Sequence, residues 1–160
     1  MTEEKAQASA PLHDRAQVRV FTLADYVADE PSGKLYISGA GLEWTGVPVR
    51  PDPDGGLLFS CYIVLRLAFP KGIARDSHLI KIRALQEDGS PAGPDPLLKF
   101  EMLFDPESAP TDFAELSGNL PVHIVDYPLV SESNDIIYLD LIVDEILVSR
   151  LPVELVELES

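Results

Sequence analysis

Every second residue from Leu57 to Phe69 is apolar: Leu57, Phe59, Cys61, Ile63, Leu65, Leu67 and Phe69. The other phase carries Ser60, Tyr62 and Arg66. A period of two over thirteen positions is that of an extended strand with one face in a core, because successive side chains of a strand point to opposite sides. No helix can present this pattern to a single core. The same period recurs in "HLIKIRALQE", where Ile80, Ile82 and Ala84 share a face while Lys81 and Arg83 point the other way, and in "LLKFEMLF", where Leu98, Phe100, Met102 and Phe104 share one. The segment between them, "EDGSPAGPDP", has Asp88-Gly89 and three prolines, the chemistry of turns and loops.

Further strands are expected in "QVRVFTLA", "KLYISGAGLEW", "NLPVHIV", "DIIYLDLIV" and "ILVSRLPVELV", about eight in all, with Pro, Gly, Asp and Ser between them. One short helix candidate, "PTDFAELSG", could be capped by Thr111 and ended by Gly118. The expected fold is an all-β, antiparallel β-sandwich, with a β-barrel as the alternative. Residues 1–16 are polar and aperiodic and read as a flexible N-terminal tail. Residues 17–157 read as a single β-sandwich domain, a length able to bury a core without disulfides or a structural metal.

Twelve basic against 27 acidic residues leave a net charge of −15. Such a surface repels phosphate backbones and anionic headgroups, so nucleic acid and membranes are not expected partners. A charged protein partner would present a basic surface. No segment has the apolar core of a secretory signal or the length of a membrane helix, and a single cysteine cannot form an internal disulfide, so the expected location is the cytoplasm.

The chemistry-bearing residues give no catalytic constellation, and no cofactor is expected. Cys61 shares its phase with Phe59 and Ile63 and reads as a buried small hydrophobe rather than a nucleophile. His13, His78 and His123 are dispersed, without a second ligand at zinc spacing. In "PDPDGG", Asp52 and Asp54 alternate as calcium ligands can, but Gly56 stands where a third ligand is needed, which favours a proline-braced turn. The alternative is a looser calcium or ligand site on the inter-strand loops, drawn from Asp52, Asp54, Asp88, Asp95 and Asp105. "SGAGLEW" lacks the helix a phosphate loop needs, and Tyr36 and Trp44 read as core aromatics.

Asp144 and Glu145 interrupt the apolar run "LIVDEILVSR". As a two-residue hairpin loop they place Val143 opposite Ile146, Leu141 opposite Val148 and Leu139 opposite Arg150. Arg150 spoils the apolar face, so a bulge near Ser149 is expected to hand the inward phase to Leu151, Val153 and Leu155. On this reading the two acids are a solvated tip, and Glu145, with no local hydrogen bond to offset a positive φ, fits worse than glycine would.

Two stretches, residues 21–48 ("FTLADYVADEPSGKLYISGAGLEWTGVP") and 138–155 ("YLDLIVDEILVSRLPVEL"), resemble an uncharacterised bacterial domain family. In that family an opening strand, a "GKL" turn and a closing hairpin bracket a β-sandwich. Glu145 departs from the glycine its hairpin pattern favours. The resemblance implies a fold and no catalytic residues, and the expected role is a non-catalytic protein-binding or assembly module of unknown partner.

Overall fold

The computed structural model describes residues 16–29, 35–38, 46–70, 77–103, 115–132 and 135–157. It places ten strands in these: β1 Gln17–Ala24, β2 Tyr26–Asp29, β3 Leu35–Ser38, β4 Gly46–Pro51, β5 Leu57–Pro70, β6 His78–Leu85, β7 Leu98–Met102, β8 Glu115–Leu129, β9 Ile136–Val143 and β10 Ile146–Glu157. No helix occurs among the described residues. Residues 1–15 of the expected N-terminal tail, Thr111, Phe104 and the glycines of "SGAGLEW" lie outside them.

β5 organises the sheet. One of its edges pairs with β8 along its whole length, from Leu57↔Leu129 to Pro70↔Glu115. The other edge is shared end to end, by β1 from Ala68 to Tyr62 and by β4 from Phe59 to Leu57. β10 runs parallel to β4, with Leu155 opposite Val47, and the sheet continues through β9 and β6 to β7. Eight strands thus form one curled, mixed sheet, a half-barrel rather than two stacked antiparallel sheets, and β2 pairs with β3 in a separate two-stranded sheet.

Strand length explains the difference from the expected sandwich. β5, β8 and β10 have 14, 15 and 12 residues, and twist accumulates along strands of that length. Register shifts in the β1–β5, β5–β8 and β9–β10 pairings add local twist and bend the sheet onto itself. The parallel β4–β10 pair joins elements that the intervening sequence keeps far apart, so no local signal announces it.

The expected alternation holds on β5. Phe59, Ile63, Leu65, Leu67 and Phe69 have no exposed surface, and Leu57 and Cys61 are buried beside them. They meet Ile80 and Ile82 of β6, Ile137, Leu139 and Leu141 of β9, and Val153 and Leu155 of β10 in one core. Full burial of each such side chain stabilises by roughly 1.5–3 kcal/mol. Val64 and Ala68, on the opposite phase, are also buried. Val64 packs with Ala24 and Val27 in a second, smaller cluster, which places β2 against the outer side of the sheet.

The proposed helix over 110–118 is overturned where it is described. Glu115 to Gly118 begin β8, and Gly118 pairs with Leu67. β5 is long enough to template this extension, and tertiary pairing overrides a weak local helix signal. Pro121 and Pro128 also lie in β8, whose only strand partner among the described residues is β5. Proline fits an edge strand because it has no N–H to donate.

At one end the half-barrel is strapped by the β6–β7 loop. The Ala92 N–H donates to Ala84 O at 2.8 Å, and Ala92 O accepts from the Val130 N–H at 2.9 Å, so Ala92 ties the end of β6 to the end of β8. The Tyr127 phenol donates to Pro94 O in the same strap. Burial, with the Asp95 charge nearby, pushes that phenol up to about 12.

Candidate functional site

The β9–β10 turn fixes the geometry of the outer sheet face. Asp144 and Glu145 have φ of 50° and 65°, as a two-residue type I′ loop requires, and Val143 pairs with Ile146. The bulge comes at Val148, one residue earlier than expected, so Leu141 faces Ser149 and Leu139 faces Leu151. Arg150 therefore stands opposite Asp140 rather than Leu139. The bulge thus matches a cation to a carboxylate as well as restoring the inward phase to Val153 and Leu155.

The tip is not merely solvated. Asp144 Oδ2 accepts from Nδ1 of the buried His78 at 2.6 Å, and Oδ1 accepts from the Leu79 N–H at 2.9 Å. The Asp144 N–H donates to Leu79 O, also at 2.9 Å. Glu145 Oε1 accepts from Lys81 Nζ at 2.7 Å. Both acids latch the hairpin onto β6, and His78 stacks on Phe69 at 4.3 Å between ring centroids.

Below the tip, the outward residues of β6, β7, β9 and β10 form a charged face. Lys81 stands opposite Lys99 on one side and Ile142 on the other. Ile142 faces Leu147, which is 53% exposed. In the next row Arg83 stands opposite Asp140, and Asp140 opposite Arg150. Arg150 Nε and Nη2 donate to the two Asp140 oxygens at 2.6 and 2.8 Å, and its guanidinium carbon lies 5.4 Å from the Tyr138 ring centroid. Arg83 makes the same two-point contact with Asp95, and that hydrogen bonding holds the Asp95 carboxyl below the usual carboxylate range. Hydrogen bonding to Asp140 likewise raises the Arg150 guanidinium.

This face is electrically unlike the rest of the chain. Lys81, Arg83, Lys99 and Arg150 are a third of the twelve basic residues, and they stand among the acids Asp95, Glu101, Asp140, Glu145 and, farther along β10 on the same phase as Arg150, Glu154. The remaining 8 basic and 22 acidic residues carry −14 of the net charge of −15. The alternation already placed Lys81 and Arg83 outward, but the companions from β7, β9 and β10 depend on strand order and on the bulge at Val148.

The residues weighed as sites are not brought together. Asp52 Oδ1 accepts from the Asp54 N–H at 3.0 Å, closing the β4–β5 turn. Asp88 closes its own turn onto Ser90, and Asp95 is held by Arg83. Asp105, His13, Gly41 and Trp44 lie outside the described residues, and Tyr36 lies in β3 opposite Ala28. No group of three metal-ligating side chains occurs among the described residues. His123 stacks on Tyr62 with centroids 4.1 Å apart. Asp126, at a φ of 50°, bonds Arg50 at 2.8 Å and takes the Ser60 hydroxyl at 3.3 Å.

Cys61 is buried, and burial pushes its thiol up to about 12. Since the thiolate is the reactive form, native protein at pH 8 should react with a thiol reagent orders of magnitude more slowly than denatured protein. Equal rates would place the thiol outside the core and undo the phase of β5. No curated protein matches the chain. The model of DUF6941, a family of unknown function, matches residues 19–156, and the chain belongs to that family.

Proposed function

We propose that this protein is a non-catalytic, cytoplasmic binding or assembly module that docks a protein partner on the outer face of β6, β7, β9 and β10. The observation that carries the reading is that this face is nearly neutral, with four cations against five carboxylates, within a chain of net charge −15. Arg83, Arg150 and Tyr138 are of the residue types that concentrate binding energy at interfaces. Exposed Leu147 and half-buried Ile142 supply apolar area among them. The acidic remainder of the surface would favour the approach of a net-positive partner, most strongly at low salt, while the mixed face makes the contacts. No described helix is long and apolar enough to cross a membrane, which is compatible with this reading.

The test is capture from a lysate of the native host with the tagged full chain, comparing wild type with Leu147→Glu/Lys99→Glu and with a Glu87→Lys control in the β6–β7 loop. A net-positive protein retained by wild type and the control, and lost from the double variant, is the expected result. Its capture should weaken as salt is raised. Equal retention by the double variant would move docking off this face, and salt-independent capture would remove the steering argument.

A further inference from the structure

Among the four cations of the face, Lys99 stands apart. Lys81, Arg83 and Arg150 each have a carboxylate partner, at 2.7, 2.8 and 2.6 Å. Lys99 is exposed and has no ion-pair partner among the described residues. It also lies directly opposite Lys81. Like charges at opposed positions on neighbouring strands destabilise a sheet, so an isolated protein gains nothing from this arrangement. Between the two lysines opens a pocket of about 280 Å³, lined also by Arg83, Asp95, Pro96, Ile142 and Glu145.

We infer that this pocket seats a single carboxylate, the side chain of a Glu or Asp on the docking partner, with Lys99 as its principal cation. The inference rests on the docking face proposed above and names its anchor. Charge counting selects a monoanion. Arg83 is already engaged by Asp95 and Lys81 by Glu145, which leaves one uncompensated positive charge, that of Lys99. A phosphate dianion would overcharge a pocket that already holds two carboxylates. Pro96 and Ile142 offer apolar contact to the methylenes of a Glu side chain. The overall charge of −15 does not forbid the site, because at physiological salt exposed charges are screened beyond about 8 Å.

The experiment needs no partner, so its outcome is separate from that of the capture test. The full-length protein is titrated with N-acetylglutamate amide, which has one carboxylate, and separately with inorganic phosphate, following backbone amide and lysine side-chain NMR signals. The expected result is a saturable, millimolar response confined to Lys81, Lys99, Ile142 and their neighbours, tighter for the carboxylate. It should weaken by about five-fold in Lys99→Gln, the scale of one exposed ion pair. Lys99→Gln should also melt slightly higher than wild type, because it removes the cross-strand repulsion. A response spread over the surface, one unchanged in Lys99→Gln, tighter binding of phosphate, or a lower melting temperature for Lys99→Gln would each overturn the assignment. If the pocket fails while capture still depends on the face, docking stands and only its anchor is wrong.

Discussion

Gly93→Ala should destabilise the protein by about 3 kcal/mol, the upper part of the range for forcing extra atoms into a packed site. For a chain of this length that corresponds to a fall of roughly 6–12 °C in melting temperature. A Cβ at Gly93 would sit 2.7 Å from the Tyr127 ring and closer still to the Pro128 carbonyl oxygen. The carbonyl belongs to backbone and cannot rotate away. To make room, the strap would have to lift off the end of β8, putting at risk the Ala92–Val130 hydrogen bond and the Tyr127–Pro94 contact. Gly89→Ala in the same loop is the matched control. There φ is +85° but the added Cβ meets nothing within 4 Å, so only the backbone cost of about 1 kcal/mol applies. Equal melting temperatures for the two variants would show that the strap yields easily and that the half-barrel is not held shut at this end.

The strap marks the boundary of what the sequence discloses. The alternation on β5 and β6 identified strands, faces and core residues correctly, because a buried face imposes its period on the residues that line it. The hairpin at Asp144-Glu145 was legible for a related reason, since two apolar runs in register about two residues admit few other arrangements. β2 and β4 were missed. β4, "GVPVRP", is short and proline-rich, and what makes it a strand is its position between β5 and β10. The curl has the same origin. "EDGSPAGPDP" reads as a loop, and it is one, but its Ala92 also serves as a one-residue rung between β6 and β8. The charged face was half legible. The outward phase of Lys81 and Arg83 follows from the period of β6, whereas Lys99, Asp140 and Arg150 join them only once strand order and the early bulge at Val148 are fixed. Long-range pairing is set by the whole chain, so a search for local motifs finds turns and strands here and passes over the face they build.

The hairpin tip gives the second large effect, and it separates a latch from a solvated turn. Asp144→Ala should cost about 3 kcal/mol. His78, only 4% exposed, loses its carboxylate partner, and the Leu79 N–H loses its acceptor. Leaving buried or half-buried polar groups without these bonds costs roughly 1–3 kcal/mol. Alanine at a φ of 50° adds about 1 kcal/mol that aspartate largely avoids. Asp144→Asn should recover most of the loss, because asparagine tolerates the same backbone and its amide oxygen can still accept from Leu79 or His78. One residue on, the sign reverses. Glu145→Gly relieves a glutamate held at a φ of 65°, a gain of up to about 1 kcal/mol. It gives up the contact with Lys81, made by a carboxylate that is 69% exposed, and such surface pairs are worth about 0–1 kcal/mol. The net should be neutral to stabilising by a few tenths of a kcal/mol. Chemical denaturation of the three variants reads both signs together. If Asp144→Ala costs less than about 1 kcal/mol, the contact with His78 contributes little and the tip is the solvated turn that the sequence suggested. If Glu145→Gly is the more damaging change, the Lys81–Glu145 pair rather than the buried histidine fastens the hairpin to β6.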